Sequence, residues 1–383
     1  MTSPRQMTPM NFVFLSSHHG TGASETLWLE TAERLARAEH TVSALAAWQR
    51  PWQQRTASLR GAGVPFQAIE KPASLARLLR PVLPGGLAAW RVLKVLRRLR
   101  PALLYISQGN EFSALPWMEM ARRQGIPCTV VTHGVSAADW PTDPIANRLR
   151  SELPALRTSF WLCQRNQQDV EHQIGCRLTN GAMVWNPLKW ERETVLPWPE
   201  TPGPELRLAC VARLQVRAKG HDMLLQALAA PAWRGRDWRL TFYGDGPNKE
   251  GLGRLAALLG LEERVRFAGH VADLADIWRQ EHWLMQPSRN EGMPMSLIEA
   301  LMAGRPSLVT DVAGHAEVVT DGHNGLVAAS ASVPALSEAL ERLWAARALS
   351  PAMGAAAAKS IRLQMPADPV GAHVEQLLRL TAA

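Results

Sequence analysis

The sequence predicts an α/β protein of two domains, each built on a parallel β-sheet with helices on both faces. The chain has 383 residues, which suggests about two domains of roughly 150 to 200 residues each. Short strands alternate with helical patterns in both halves, and these strands are apolar throughout, which is typical of sheets buried on both faces. A proline-rich polar stretch, residues 186–205, separates the halves.

The first half begins with an apolar run at residues 11–17 that leads into the glycine loop Ser-Ser-His-His-Gly-Thr-Gly, where Gly20 and Gly22 lie. A helical pattern follows this loop, so the order is strand, glycine loop, helix. Further strands are predicted at 102–107 and at 128–132, and the second of these ends at His133.

The second half repeats this alternation after a predicted linker at residues 191–205. Its predicted strands lie near 206–212, 238–243, 264–268, 283–286 and 306–310, and its helical runs include 221–230 and 248–259. We therefore expect domains at 1–190 and 206–365. A C-terminal helix at 366–383 is expected to pack back toward the N-terminal domain. Ligands of such folds bind at the carboxyl ends of the strands, so each domain would offer its loops to a cleft between the two.

Composition excludes general disorder, since 46% of the residues are apolar and 20% are charged. The net charge of +8 comes from the first half, where residues 50–100 carry eleven basic side chains against the single acid Glu70. A helical projection of residues 87–100 places Arg91, Lys94, Arg97 and Arg98 on one side and the apolar residues on the other. Two interpretations stay open: the basic side is a solvated face, or it binds an anionic membrane surface. No recognition motif for nucleic acid occurs, so no specific nucleic-acid partner is expected.

The expected location is the cytoplasm, with peripheral attachment to the inner face of the cytoplasmic membrane under the second interpretation. The first ten residues form no apolar signal core, and the uncharged runs are broken by glycine, proline or polar residues. The four cysteines form no CxxC pair, which indicates free thiols.

The most informative segment is 286–306, which combines a strand end, a glycine and a helix start. Glu291 follows the strand, Gly292 allows a ligand close to the backbone, and Pro294 suits the first turn of a helix. Free N–H groups at a helix start bind anions. Because carboxylates accept hydrogen bonds from hydroxyl groups, Glu291 and Glu299 beside this site suggest a ligand with a phosphate between two sugar-like parts. The alternative is that both are surface glutamates at a helix start.

Three further residues at strand ends are candidates. Arg213 and Lys219 follow the strand at 206–212, and together they could hold a pyrophosphate, although a single loop cation is ordinarily a solvated surface charge. His133 follows the strand at 128–132 and precedes Gly134. A histidine at that place either makes structural hydrogen bonds or acts in the site.

Taken in order, the motifs of residues 206–330 resemble those of retaining glycosyltransferases of family 4, which have the GT-B fold. The matching segments are Arg213 with Lys219-Gly220, Gly244-Asp-Gly-Pro247, Phe267-Ala-Gly-His-Val271, Pro287-Ser-Arg-Asn-Glu-Gly-Met-Pro-Met-Ser-Leu-Ile-Glu-Ala300, Ala303-Gly-Arg-Pro306 and Asp321-Gly-His-Asn-Gly-Leu-Val327. The Glu-x7-Glu spacing of Glu291 and Glu299 is the most diagnostic part. The resemblance implies two Rossmann-like domains that face each other across a deep cleft.

The resemblance also implies roles for individual residues. Arg213 and Lys219 would bind the donor diphosphate, Glu299 the ribose hydroxyls, and Glu291 the hydroxyls of the transferred sugar. Sugar and phosphate oxygens would be contacted by Gly292, Met293, Pro294 and Met295. The nucleobase would be contacted by His270 and Val271, and the diphosphate by Gly20 and Gly22. His133 would lie near the reacting carbon. This chain has His18 and His19 at positions where the family more often has small residues. Two roles stay open for them, acceptor binding and packing.

The implied activity is transfer of a hexose or N-acetylhexosamine, with retention of configuration, from a nucleotide sugar. The acceptor would be a glycan or lipid-linked glycan in cell-surface polysaccharide synthesis. The chain has no Asp-x-Asp motif, so neither a metal nor a cofactor is expected beyond the donor substrate. Two alternatives are a nucleotide-sugar 2-epimerase of the same fold and a non-catalytic nucleotide-sugar-binding protein. The uninterrupted segment around Glu291 argues against the first, and the presence of Arg213, Lys219 and Glu299 argues against the second.

Overall fold

The structure is a computed structural model that describes residues 8–17, 24–47, 52–69, 86–109, 112–200 and 203–382. The chain divides into two compact units. The first unit consists of Met1–Pro187 together with Asp368–Ala383, and the second unit is Leu188–Ala367.

A parallel sheet forms the centre of the first unit, and seven of its strands fall in the described ranges, in the order β3-β2-β1-β4-β5-β6-β7. The strands are β1 Asn11–Ser16, β2 Thr41–Ala47, β3 Phe66–Ile69, β4 Leu103–Gln108, β5 Cys128–Thr132, β6 Thr158–Trp161 and β7 Gly181–Met183. The described helices of this unit are Ser24–Arg37, Trp52–Gly61, Gly86–Leu99, Leu115–Arg123, Asp143–Glu152, Gln164–Ile174 and Pro369–Ala382.

The second unit has its own parallel sheet, with six described strands in the order β10-β9-β8-β11-β12-β13. They are β8 Leu206–Val211, β9 Trp238–Tyr243, β10 Val265–Gly269, β11 Trp283–Gln286, β12 Ser307–Thr310 and β13 Gly325–Ala328. The helices are Val216–Lys219, His221–Leu228, Pro231–Arg234, Lys249–Leu258, Leu274–Trp278, Met295–Met302, His315–Val318, Val333–Ala346 and Ser350–Gln364, with a 3-10 turn at Arg347–Leu349.

The α/β class with two parallel sheets is confirmed, and the strands predicted from sequence end within about one residue of the observed ones. Five strands were not predicted from the sequence, namely β2, β3, β6, β7 and β13. Of these, β2 has the sequence Thr-Val-Ser-Ala-Leu-Ala-Ala. Alanine is depleted in strands, so this segment carries little local strand signal and depends on its neighbours in the sheet.

The described part of the predicted linker, residues 191–200 and 203–205, lies in the second unit. Two arginines hold its backbone there. The buried guanidinium of Arg305 donates hydrogen bonds to the carbonyls of Leu196 at 3.3 Å and Pro197 at 2.7 Å. Arg362 donates in the same way to the carbonyls of Arg192 at 2.7 Å and Thr194 at 3.0 Å.

The C-terminal helix Pro369–Ala382 belongs to the first unit, where it packs against helix Ser24–Arg37. His373 of this helix is fully buried, with its ring centroid 4.7 Å from that of Phe160. The Nε2 atom of His373 lies 3.3 Å from the hydroxyl of Tyr105 on β4. Burial of these aromatic side chains fixes the helix on the sheet.

Helix Gly86–Leu99 shows the two-sided character expected from its sequence. Val92, Val95 and Leu96 are buried, whereas Lys94, Arg97 and Arg98 are exposed. Trp90 is 50% exposed, and the Nζ atom of Lys94 lies 5.3 Å from the centroid of its ring. Of the eleven basic residues in segment 50–100, four lie outside the described residues, namely Arg50, Lys71, Arg77 and Arg80. None of the described helices is long and apolar enough to cross a membrane.

Candidate functional site

Two loops meet at the carboxyl edge of the second sheet, between β8 and β11. The strand order reverses at this point, because β9 and β10 lie on one side of β8 while β11, β12 and β13 lie on the other. In doubly wound sheets a crevice opens at such a point and accepts ligands. The loop after β8 carries Arg213 and Lys219, and the loop after β11 carries Glu291.

The backbones of these two loops are in direct contact. Gly220 has a φ of +66°, and a Cβ atom there would lie 2.0 Å from the carbonyl oxygen of Pro287, so only glycine fits this position. The amides of Arg289 and Asn290 donate to the carbonyl of Ala218 at 2.8 and 3.2 Å. These contacts set the register between the turn that carries Lys219 and the segment that carries Glu291.

An ion pair between Arg289 and Asp222 reinforces that register. Nη1 and Nη2 of Arg289 lie 2.7 and 2.8 Å from Oδ1 and Oδ2 of Asp222, and Nη1 also donates to the carbonyl of Val216 at 2.9 Å. Burial on its own would raise the pKa of Asp222, but the hydrogen bonds and charge of Arg289 outweigh it, so the pKa is lowered. The carboxylate is therefore ionised at neutral pH and keeps both contacts.

At the centre of the site, three donors converge on one carboxylate oxygen. Oε1 of Glu291 accepts hydrogen bonds from Nζ of Lys219 at 2.5 Å, Oγ of Ser288 at 2.9 Å and Nε2 of Gln286 at 3.0 Å. The side chain of Glu291 is 8% exposed and that of Lys219 is 22% exposed. Burial would raise the pKa of Glu291, yet the positive charge of Lys219 and these hydrogen bonds lower it.

Gln286 links Glu291 to the start of helix Met295–Met302. Its Oε1 atom lies 3.2 Å from the hydroxyl of Ser296 in the first turn of that helix. Pro294 is the N-cap residue, and the segment Gly292, Met293, Pro294 is buried while Met295 is partly exposed. Amides of a first helical turn have no partner within the helix, so this end can bind an anion.

Glu299 lies further along the same helix and is 8% exposed. No hydrogen bond to its carboxylate comes from the part of the chain that the structure describes. Burial raises the pKa of Glu299 from its ordinary value of 4.5 to about 7, although the charge of Lys189 acts in the opposite direction. This group is therefore a buried acceptor near the anion site that titrates close to neutral pH.

His315 is a further residue of this site that the sequence analysis missed. It follows β12, is fully buried, and has its Nδ1 atom 2.8 Å from the carbonyl of Thr310. Burial lowers the pKa of His315, although the charge of Glu291 raises it, so the ring is neutral. Gln286 and Ser288 were missed as well. Gln286 ends β11 and Ser288 lies just after it, the same signal by which His133 was selected, whereas His315 lies beyond the loop after β12, at the start of helix His315–Val318.

The other residues selected from the second half occupy loops at the same edge of the sheet. Arg213 and His270 are exposed, and Val271 is partly exposed. The structure thus brings Lys219 and Glu291 together with the segment from Gly292 to Met295, and it places Arg213 and His270 on the surrounding loops. Within the described ranges, no three His, Cys, Asp or Glu side chains are grouped so that they could hold a metal ion.

In the first unit, His133 follows β5 and is 9% exposed. Its Nε2 atom lies 3.1 Å from the hydroxyl of Ser107 on β4, and its amide donates to the carbonyl of Gln108 at 3.1 Å. At the reversal of strand order between β1 and β4, the hydroxyls of Ser17 and Ser113 are 2.9 Å apart. The glycine-loop residues Gly20 and Gly22, with His18 and His19, lie outside the described residues.

The two units define a protein of the GT-B fold, and comparisons with family models give its class. Residues 22–172 match the model described as "glycosyl transferase 4-like domain". Residues 205–346 match the model described as "glycosyl transferases group 1". Together the two matches cover about three quarters of the chain. The chain therefore belongs to the glycosyltransferases of group 1, as the sequence motifs predicted.

Among curated proteins, the chain is similar to an exopolysaccharide phosphotransferase of Streptomyces coelicolor, with 30% identity over 198 residues, or 51% of this chain and 20% of that protein. It is also similar to a GDP-mannose-dependent alpha-(1-6)-phosphatidylinositol monomannoside mannosyltransferase of Mycobacterium tuberculosis, with 31% identity over 181 residues, or 45% of this chain and 47% of that protein. The matches thus span from a fifth to about half of the length of these relatives.

Among solved structures, HepE of Anabaena in complex with UDP matches over 97% of this chain and 100% of that chain, with a TM-score of 0.76 and 15% sequence identity. At this identity the match concerns the fold alone. It extends over both units, which agrees with the two-domain fold predicted from the sequence.

Proposed function

We propose that this protein transfers a hexose or N-acetylhexosamine, with retention of configuration, from a nucleotide sugar to a glycan or lipid-linked glycan in cell-surface polysaccharide synthesis. One observation carries this proposal. A buried carboxylate, Glu291, lies beside a cation, Lys219, immediately before the start of helix Met295–Met302. A site of this kind suits a ligand in which hydroxyl groups adjoin a diphosphate.

In the proposed donor site, Lys219 and Arg213 bind the diphosphate together with the first amides of helix Met295–Met302. Glu291 accepts hydrogen bonds from the sugar, and Glu299 accepts them from the ribose. The backbone from Gly292 to Met295 contacts sugar and phosphate oxygens. His270 and Val271 adjoin the nucleobase, and Gly20 and Gly22 approach the diphosphate. HepE, which has the same fold, was solved in complex with UDP, and this supports the proposal that the donor carries a nucleotide.

The proposed reaction breaks the bond between the sugar C1 atom and the leaving phosphate oxygen and forms a bond from C1 to the acceptor oxygen on the same face. The acceptor proton passes to the leaving phosphate oxygen. Lys219 and Arg213 stabilise the negative charge that develops on the leaving diphosphate, so the chain needs no metal for this purpose. His133 adjoins the reacting carbon, and its hydrogen bond with Ser107 orients the ring.

The first unit is the proposed acceptor-binding domain, and helix Gly86–Leu99 is its proposed contact with an anionic membrane. The exposed Lys94, Arg97 and Arg98 supply the charge, and the half-exposed Trp90 supplies an amphipathic ring of the kind found at membrane interfaces. The mycobacterial relative acts on a phosphatidylinositol monomannoside by its name, which supports a lipid-linked acceptor. The proposed location is cytoplasmic, at the inner face of the membrane.

The test uses the purified full-length chain and a panel of UDP- and GDP-sugars with cell-envelope acceptors. We expect release of nucleoside diphosphate and a product whose anomeric configuration, read by proton NMR, equals that of the donor. Calorimetry should show that Lys219→Ala and Glu299→Ala weaken nucleotide binding by about tenfold or more, whereas the exposed-site controls Lys249→Ala and Glu263→Ala leave it unchanged.

Two results would contradict the proposal. The first is unchanged nucleotide binding in both site variants, which would mean that the donor site is elsewhere. The second is conversion of a nucleotide sugar into its 2-epimer without release of diphosphate, which would indicate an epimerase.

A further inference from the structure

The contact between Lys219 and Glu291 has a consequence for the reaction cycle. We infer that this ion pair exchanges partners when the donor binds, an inference that rests on the proposed function. After the sugar has been transferred, the ion pair forms again and favours release of the nucleoside diphosphate.

In the structure the two proposed binding groups form an ion pair with each other. Nζ of Lys219 lies 2.5 Å from Oε1 of Glu291, so the cation assigned to the diphosphate is bound to the carboxylate assigned to the sugar. A diphosphate must therefore compete with Glu291 for the ammonium group. Because Glu291 is largely buried and ionised, loss of its partner without replacement is unfavourable.

The exchange is confined to side chains, because the backbones of the two loops are locked. Gly220 contacts the carbonyl of Pro287, and Ala218 accepts two hydrogen bonds from the segment before Glu291. Glu291 itself is held by Ser288 and Gln286, both of which are buried. Lys219 is the more exposed partner and has a long flexible side chain, so Lys219 is the group that moves.

A complete nucleotide sugar supplies both replacements at once. A sugar hydroxyl donates to Oε1 of Glu291 in place of Lys219, and the ammonium group turns to the diphosphate. Once the sugar has left, the hydroxyl donor is gone and a buried carboxylate faces the diphosphate, which is unfavourable between like charges. Lys219 then returns to Glu291, and the nucleoside diphosphate loses its cation. The pair therefore makes the product bind more weakly than the substrate.

The experiment compares nucleoside diphosphate with nucleotide sugar on the full chain by calorimetry. The probes are UDP with UDP-glucose and GDP with GDP-mannose, and the pair that binds the unaltered protein is used. Glu291→Gln keeps the shape of the side chain and removes the charge, so Lys219 becomes available without competition. We expect the diphosphate to bind this variant at least fivefold tighter than the unaltered protein, while the nucleotide sugar binds no tighter.

The control is Glu263→Gln, which removes the same charge from an exposed position of the same unit and should leave both affinities unchanged. A diphosphate that binds Glu291→Gln no tighter than the unaltered protein would overturn the inference while leaving the proposed function intact. A measurement on the unaltered chain alone is a second test, because it should bind the nucleotide sugar at least tenfold more tightly than the diphosphate. Equal affinities would also overturn the inference, whereas binding of neither probe pair would instead contradict the proposed function.

Discussion

Arg289 and Asp222, which are 67 residues apart in the sequence, form a two-point ion pair with N–O distances of 2.7 and 2.8 Å. The pair joins the loop after β11 to helix His221–Leu228 and so spans the contact between the segments that carry Glu291 and Lys219. Neither residue is assigned a ligand. Their effect on the site is to keep the two loops in register.

The first prediction concerns this pair. Arg289→Lys replaces a planar fork by a single ammonium group, which cannot keep both bonds to Asp222 and the bond to the carbonyl of Val216. We expect a loss of about 1 to 2 kcal/mol in stability and about a tenfold loss of kcat/KM for the donor. The control is Arg342→Lys, whose partner Asp321 lies in the same unit. Equal loss of kcat/KM in both variants would show that the register of the loops does not matter.

The second prediction is a pH dependence set by Glu299. Because burial raises the pKa of Glu299 to about 7, the folded protein favours the neutral carboxyl. The stability that this preference contributes is present below pH 4.5 and is lost as the pH rises through 7. Glu299→Gln removes the dependence. We compare the free energies of unfolding of the variant and the unaltered protein at each pH. We expect the difference between them to shift in favour of the variant by about 3 kcal/mol from pH 5 to pH 8.

Donor binding supplies an independent measurement of the same titration. Ribose hydroxyls donate to the ionised form of Glu299, so the affinity of the unaltered protein should rise between pH 6 and pH 8. The affinity of Glu299→Gln should show no such rise beyond that of the nucleotide itself. If the donor affinities of the two proteins change with pH in parallel, Glu299 does not contact the donor.

The third prediction concerns acid stability of the first unit. Burial lowers the pKa of His373 to about 4, so the folded state disfavours the imidazolium. The stability that depends on the neutral ring is present above pH 6.5 and is lost as the pH falls toward 4. We expect hydrogen exchange in helix Pro369–Ala382 to accelerate over this range. His373→Gln, which cannot be charged, should be less stable at pH 7 but less sensitive to acid.

The matched control for this measurement is His172→Gln, because His172 is an exposed histidine of the same unit. It should reproduce the acid response of the unaltered protein. If His373→Gln shows that response too, another group causes the acid sensitivity.

The fourth prediction tests the membrane contact of helix Gly86–Leu99. Reversal of Lys94, Arg97 and Arg98 to glutamate should reduce binding to vesicles of phosphatidylglycerol by about a hundredfold or more, at about 1 kcal/mol for each basic residue removed. Binding to phosphatidylcholine vesicles should be weak in both proteins, and vesicle flotation measures each case. The control reverses three exposed arginines of the same unit, Arg123, Arg150 and Arg157. Equal loss in both triple variants would favour a solvated face without specific attachment.

The sequence by itself determined the features that local patterns carry. Apolar runs and glycine loops identified the α/β class, most of the strands, and the strand ends where Lys219, Glu291 and His133 lie, because period and turn chemistry depend on neighbours along the chain. The helical projection of residues 87–100 likewise predicted which side of that helix is buried.

Only the tertiary structure decided which of these strand ends lie next to each other. Lys219 and Glu291 are 72 residues apart in the sequence, and they form a pair because β8 and β11 are neighbours where the strand order reverses. The same proximity produces the pair of Arg289 with Asp222 and places His315 near Glu291. It also determines how burial shifts the pKa of Glu299 to about 7. Strand order and burial follow from packing over the whole unit, and no pattern within a short segment encodes them.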